Sequence, residues 1–480
     1  MKTKLSEWLK KEIKIPLWPL QKRRSPSPWT RRIFKAINVL LLLLLVCFVG
    51  WRVNLYCEIN RRFDAIRVAN LPASGQELNH WRQPVPDAEN SALVLTQAFA
   101  LLHKFPTDRT DGVSESMLLE QSRQWSANTR KLVVEYIATN APALEIAHDA
   151  IQRPRCHYAA DYSYGPLTEL PHLDGLKHLA RIVALRAVIE AEEEHPNVWA
   201  EDIGLEFRLA ATLNEEPVLI SCLVHDSILR MAVQSAERGF NLFSPDGPTY
   251  EKLDAMFATA DSTNLLPAAL IGERAMLIPV FRLSRVEIQH FGKTDEDGVS
   301  IKEKPQRFSG KPMTFLWLTG GFERDLNFFL QVMETNIAYA ALPPPASLAF
   351  TNFSEQLIDV AQRRYYILSS LLLPSYANVI VKQATTDANV RLARIALAVE
   401  RFRLASGILP ENLNELVPQF LSAVPVDPFD GQPLRYHRLA RGFVIYSVGR
   451  DCHDDGGRQK PADWKSTDRN TYDITFTVER

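Results

Sequence analysis

A chain of 480 residues with 46% hydrophobic and 23% charged side chains can bury a sizeable core and has room for more than one domain, which excludes a wholly disordered protein. The formal charge of -1 conceals an asymmetry: residues 1–36 hold eleven Lys or Arg against two Glu, a net of +9, so the remaining 444 carry -10. Basic charge belongs to the tail, which argues against a nucleic-acid surface on the main body. The five cysteines, at 47, 57, 156, 222 and 452, form no C-x-x-C pair and no close-spaced set, against both a disulfide framework and a structural zinc site.

Residues 1–35 read as a basic cytoplasmic tail. Leu5, Trp8, Leu9 and Ile13 share a helical face that Lys4, Lys10, Lys11 and Lys14 surround, a pattern suited to an anionic bilayer surface; a solvated tail that only fixes orientation reads the same way. Arg24–Arg32 (RSPSPWTRR) is expected to be an irregular linker because of its two prolines. From Ala36 to Tyr56 the only charge is Arg52, and twenty-one helical residues cover about 31 Å, enough for a hydrocarbon core of about 30 Å. Residues 36–56 are therefore expected to be an uncleaved transmembrane helix, with the basic tail cytoplasmic and all that follows outside the cytoplasm.

Residues 57–383 read as an all-helical extracytoplasmic body. Residues 57–83 suggest a linker or first helix. Asp87, after Pro84 and Pro86, is placed to cap a helix using Ala92, Leu95, Phe99 and Leu102. Helical spacing recurs at Leu176, Leu179, Val183 and Ala187 and at Ile220, Val224, Ile228 and Met231. Amphipathic stretches follow over Tyr250–Ala260, Leu265–Leu283 and Glu323–Tyr339. Tyr365–Val381 carries no charge, but its Ser, Pro and Asn residues disfavour lipid, so a buried helix ending at the Leu373–Pro374 step is expected there.

Three constellations in this body could carry chemistry. Cys222, His225 and Asp226 fall at i, i+3 and i+4 on one helix face, able to bring a thiol, an imidazole and a carboxylate together; packing plus an Asp226–Arg230 surface pair is the simpler account. Glu273 and Arg274 lie in the apolar run LLPAALIGERAMLIPVF, where both charges need partners, structural or ligand. Arg153–Pro166 (RPRCHYAADYSYGP) gathers Arg155, His157, Tyr158 and Asp161 on one loop, a composition suited to a recognition surface or to tyrosines capping helix ends.

Residues 384–480 form a small α+β module. Ala388, Leu392, Ile395, Val399 and Phe402 make a narrow apolar stripe on a helix closed by Ser406–Gly407. Prolines 418, 425, 428 and 433 hold an extended crossing. Alternation around Leu434–Tyr436, Phe443–Val448 and Ile474–Val478 then predicts a three-stranded antiparallel sheet, with a hairpin turn at Ala440–Arg441–Gly442.

The order LARIALAVERFRLASGILPENLNELVPQFL, VPVDPFDGQPLRY, GFVIYSVGRD and a closing DITF resembles the globular part of the major pseudopilin of type II secretion systems. Gly407 and Pro410 match that family's turn, Asp427, Pro428, Gly431 and Pro433 its crossing, and Ser447, Gly449, Asp451 and Asp473 its calcium loop and last strand. The whole chain also resembles large membrane-anchored bacterial envelope proteins with a helical body and this ending. The resemblance implies a bacterial inner-membrane location and a calcium ion at this loop, where Asp451 and Asp473 match the family; Asp454 and Asp455, near the turn-forming Gly456 and Gly457, would add hard oxygens of the kind calcium takes, and a solvated acidic loop is the alternative. Pseudopilins have a processed N-terminus and a Glu just inside the apolar helix, and this chain has neither, so it is not expected to assemble as a pilin subunit.

The function expected is a non-catalytic interaction or assembly role in the envelope, beside secretion or pilus-like machinery. An extracytoplasmic hydrolase or lyase with its site near Arg155, His157 and Glu273, and a helical-repeat binding protein unrelated to secretion, remain alternatives.

Overall fold

The computed structural model describes residues 28–106, 125–282, 319–459 and 472–480, and divides into two units, Met1–Cys57 and Glu58–Arg480. The amphipathic tail expected over residues 5–14 lies outside the described residues. Helix α1, Pro28–Val68, is 41 residues long, about 62 Å at 1.5 Å per residue. Among the described residues it is the one unbroken helix long and apolar enough to cross a membrane, with a window of mean hydropathy 2.6 that is wholly unburied. Its described part begins at Pro28, inside the expected linker, and a proline fits a first turn, where a missing N–H costs nothing.

In the second unit the last turns of α1 are fastened to helix α11 (Gly321–Ala340): Arg62 donates to Asn327 at 2.9 Å and pairs with Glu334 at 3.1 Å. Short helix α2 (Gly75–Trp81) and α3 (Ser91–Ala100) follow. The cap of α3 is Asn90 and not Asp87; three residues form a turn after the prolines before the Asn90 side chain accepts from Ala92 N. Helices α4 (Ala127–Thr139) and α5 (Ala141–Ala150) meet at buried Asn140. The centre is a packed trio, α6 (His172–Glu192), α7 (Pro196–Ala211) and α8 (Leu219–Leu242). The stripe Leu176, Leu179, Val183, Ala187 of α6 is fully buried as its spacing predicts; on α8, Ile220 is exposed at the open first turn and Cys222 and Leu229 join the stripe instead.

Helices α9 (Gly247–Asp261) and α10 (Leu266–Leu277) form a bent, apolar pair whose Tyr250, Leu253, Phe257 and Leu270 are buried in the body. After α11 and α12 (Ala349–Arg363) comes α13, Ile367–Ser406, forty residues that run through position 374 without a break. The stop expected at the Leu373–Pro374 step is absent. Burial of Leu373, Tyr376, Val379 and Ile380 around that step outweighs the one hydrogen bond a proline removes. The same helix passes uninterrupted through residue 384.

Beyond α13 the chain crosses to the sheet β1 (Arg435–Arg438), β2 (Phe443–Ser447), β3 (Ile474–Val478), antiparallel in the order β1-β2-β3 with Ile445 opposite both Tyr436 and Phe476. The protein is mainly α with this small sheet near its end. One hydrophobic core joins Leu95, Leu179, Ile228 and Phe257 of the body to Leu392, Ile395, Ile445, Phe476 and Val478.

The sheet is sewn into the body. Glu237 of α8 accepts from Thr477 N at 2.7 Å, Asn241 donates to Thr477 O at 2.8 Å, and Glu479 N donates to Asn241 at 2.7 Å, so side chains of α8 occupy the outer edge of β3. The Arg480 guanidinium reaches the carbonyls of Phe240 and Phe243 and the buried Glu400 carboxylate.

Candidate ligand cleft

The segment after α5 is built around Asn90. Its Oδ1 caps α3 through Ala92 N (3.1 Å) and also accepts from His157 N (2.8 Å), while its Nδ2 donates to His157 O (3.0 Å). Ser91 N donates to Arg155 O at 2.9 Å and Arg155 N to Glu89 O at 3.2 Å, making a short parallel bridge. Arg153 Nη1 adds bonds to the carbonyls of Asp87 (3.1 Å) and Asn90 (3.0 Å). One asparagine thus starts a helix and clamps a loop. Its signal in the sequence was its place one residue before an apolar helical run, overshadowed by the aspartate three residues earlier.

Behind the loop lies a buried polar layer. The Tyr158 ring stacks on His172 with centroids 4.1 Å apart, and its hydroxyl donates to Thr212 at 3.2 Å. His172 Nε2 lies 3.0 Å from Glu216 Oε2, Tyr162 donates to Glu216 Oε1 at 3.3 Å, and Arg82 donates to Tyr162 at 3.2 Å. Burial disfavours the Glu216 carboxylate, but the His172 contact and the Arg82 charge outweigh it and hold its pKa below the ordinary carboxylate value. Burial raises the phenols of Tyr158 and Tyr162. Asp161, exposed, caps the turn at Tyr162–Leu167: its Oδ1 accepts from Ser163 N at 2.9 Å and from Asn79 at 2.7 Å.

On the solvent side of this layer a cleft of about 260 Å³ opens between the loop, the start of α3 and the last turn of α7. Arg153, Arg155, Arg208, Cys156, Ser91 and Thr212 are among its walls. Arg155 has Glu215 at 3.8 Å; Arg208 makes no ion pair within 4 Å among the described residues, and burial lowers its pKa against the raising charge of Glu201. Burial pushes the Cys156 thiol up, so the cleft floor stays uncharged.

Of the residues singled out in the sequence, Arg155 lines this cleft, His157 and Tyr158 hold the loop from behind, and Asp161 caps its turn. Glu273 and Arg274 are on α10 and do not line it. Burial alone pushes Glu273 up to about 7. Arg274 is 4% exposed with Nε and Nη2 lacking hydrogen-bond partners, and burial lowers it to about 10 against the raising charge of Glu334.

Of the Cys222, His225, Asp226 trio on α8, His225 and Asp226 touch, Nδ1 to Oδ1 at 3.1 Å, while the Cys222 sulfur lies 3.8 Å from Gln383 Oε1. Burial, then the charges of Asp226 and Asp387, raise Cys222 well above the ordinary thiol value, so the sulfur stays protonated and is a poor nucleophile.

In the acidic loop after β2 the carboxylates are engaged locally. Asp451 accepts from His453 N (3.2 Å), Asp454 from Gly456 N (2.9 Å), and Asp473 from Gly457 N (2.7 Å) and Asp455 N (3.4 Å). Asp455 lies 3.3 Å from His453 Nδ1. Among the described residues no three His, Cys, Asp or Glu side chains are grouped to hold a metal ion, and residues 460–471 of this loop lie outside them. Gly457, at φ +75°, lies against Tyr446 and Val444, and an added Cβ would come within 3.0 Å of the Tyr446 ring. The loop therefore covers the outer face of β2, which is why that strand is buried on both faces.

Asp427, in the crossing, is fully buried and ties this end together. Its oxygens accept from Phe429 N (2.9 Å), Ser447 Oγ (2.8 Å), Val448 N (3.0 Å) and Arg435 (2.8 Å). Compared with known protein families, with curated proteins and with solved structures, the chain matches none.

Proposed function

We propose that this chain is a single-pass protein of the bacterial inner membrane whose body, outside the cytoplasm, receives a partner or ligand at the 153–166 loop without doing chemistry on it. The observation that carries this reading is the way the loop is held. A buried Tyr158–His172–Glu216–Tyr162 layer and the Asn90 clamp fix its backbone, while Tyr164 (68% exposed), Leu167 (69% exposed) and Arg155 face solvent. Aromatic and arginine side chains on a fixed loop are the usual anchors of recognition, since little conformational entropy is lost on contact. The orientation follows from the +9 tail ahead of an apolar helix. Resemblance to the major pseudopilin suggests components of secretion or pilus-like machinery as the partner class, with the sheet serving as a built-in element and not as a polymerising subunit. The way α8 occupies the edge of β3 supports that part.

A photo-crosslinker placed at Tyr164 in native envelopes is expected to give a discrete adduct, and one at the exposed Leu404 none. No adduct at position 164, or the same smear at both positions, would sink the recognition reading. Protease accessibility in spheroplasts tests the topology independently, and protection of the body there would overturn it.

A further inference from the structure

The arginines of the cleft are more numerous than its architecture needs. Arg153 is accounted for by the carbonyls of Asp87 and Asn90, in the turn ahead of α3, to which it donates. Arg155 reaches the same cleft from the loop and is balanced only by a half-exposed Glu215 3.8 Å away. Arg208 enters from the last turn of α7 beside Ala211 and Thr212, makes no ion pair within 4 Å among the described residues, and has the charge of Glu201, nearly two turns back on the same helix, acting on it. Behind the floor lies Arg82, 9% exposed, whose Nε and Nη2 have no hydrogen-bond partner. Cys156 on the floor is a thiol and adds no negative charge.

Taking the ligand-receiving role of this loop as its basis, we propose that the cleft binds a phosphate monoester group, held by the guanidinium groups of Arg155 and Arg208 with Arg153 as the third cation. Planar guanidinium forks match phosphate oxygens in pairs, and a dianion meets more than one of them at once, whereas a single carboxylate leaves a guanidinium unmatched. A volume of about 260 Å³ admits the phosphate and a few attached atoms, not a large cofactor. The phosphate belongs either to a soluble metabolite or to a lipid headgroup; the chemistry at the arginines is common to both.

The test uses the full chain in detergent, titrated calorimetrically with inorganic phosphate and, separately, with acetate. Saturable phosphate binding is expected, at least tenfold weaker in the Arg155→Ala/Arg208→Ala double variant and intermediate in Arg208→Lys, which keeps the charge and loses the planar fork. Should the double variant fold poorly by circular dichroism, Arg208→Glu, a change at an exposed position, is expected to show the same tenfold loss. Equal phosphate affinity in wild type and Arg208→Glu, or acetate binding as tightly as phosphate, would overturn the proposal. Nanodiscs of phosphatidylcholine with or without phosphatidic acid assign the source: loss of the phosphate response in phosphatidic-acid discs supports a lipid headgroup, and its persistence supports a soluble phosphate. Phosphate binding that fails while the Tyr164 adduct persists removes this proposal and leaves the recognition reading standing.

Discussion

The loop at 153–166 and the acidic loop that follows β2 look alike as strings: each crowds charged side chains and turn formers into about a dozen positions, and each starts beside one buried Asx side chain that fixes the neighbouring backbone. Asn90 clamps the first through both faces of its amide, and Asp427 clamps the second region through four hydrogen bonds. They differ in what becomes of the remaining charges. The carboxylates of Asp451, Asp454 and Asp473 turn back on backbone N–H groups of their own loop, whereas Arg155 and Arg208 line a cleft with no ion pair closer than the 3.8 Å between Arg155 and Glu215 and with the charge of Glu201 acting on Arg208. The second loop covers a strand. The first leaves its charge for something else to meet.

The largest expected effect falls on the Asp427 clamp. Asp427→Ala strips a fully buried acceptor from two backbone amides, a hydroxyl and Arg435, and should cost about 4 kcal/mol in urea unfolding, since each orphaned buried donor carries its own desolvation penalty. Asp427→Asn keeps an acceptor oxygen and should lose about half as much. A cost under about 1 kcal/mol for the alanine variant would mean that the sheet is not held by this hub.

Asn90→Ala removes the cap of α3 and the His157 clamp together and should cost about 2 to 3 kcal/mol. Asn90→Asp separates the two: the cap oxygen stays, the bond to His157 O goes, and hydrogen exchange should quicken at residues 155–157 but not in α3. If exchange in the loop is unchanged, the loop is not fixed from Asn90 and its resemblance to the Asp427 region fails.

A case between the two loops sharpens the rule. Glu237 is buried and accepts one bond, from Thr477 N, and burial pushes its pKa up to about 8; Asp387 and Glu273 are pushed to about 7 by the same cause. Carboxyls whose folded pKa is raised stabilise the fold fully below their unfolded value near 4 and lose that contribution as pH climbs through 7 and 8. Stability of the full chain in detergent should therefore fall between pH 5 and pH 8.5, opposite to the common acid-denaturation trend. Glu237→Gln should be about 1 to 2 kcal/mol more stable than wild type at pH 8 and indistinguishable at pH 5. A variant equally destabilised at both values would place an ionised carboxylate at this edge.

How much of this could be read in advance depends on the period of the pattern and the number of groups involved. The stripe Leu176–Ala187, the three strands and the Ser406–Gly407 stop were legible because each rests on local spacing, and Gly407 takes the left-handed φ of +77° that its place after α13 demands. The passage of α13 through position 374 was not, because proline's local cost is outweighed by packing from helices far away in sequence. A module starting at residue 384 follows from the apolar stripe that opens at Ala388, yet Leu392 and Phe476 share a core with Leu95. In the cleft, Arg155 stood out by composition. Arg208, about fifty residues on, and Asn90, about sixty-five before, joined it only through tertiary contact.

The smallest effects lie in the acidic loop and decide whether its carboxylates are for backbone or for metal. Asp473 is 5% exposed and accepts from Gly457 N and Asp455 N, so Asp473→Ala should cost about 1 kcal/mol, whereas Asp454, half exposed with one local bond and Arg435 at 3.8 Å, should cost less than about 0.5 kcal/mol as Asp454→Ala. If backbone bonding is what these groups do, both costs are the same in millimolar calcium and in chelator. A calcium ion needs six or more oxygens, and recruiting these carboxylates would break the bonds to Gly457, Gly456 and His453 that now lay the loop on Tyr446. A melting temperature that rises with calcium in the wild type and not in Asp473→Asn would show that the loop surrenders those bonds to a metal, and the two loops would then differ in ligand and not in whether they have one.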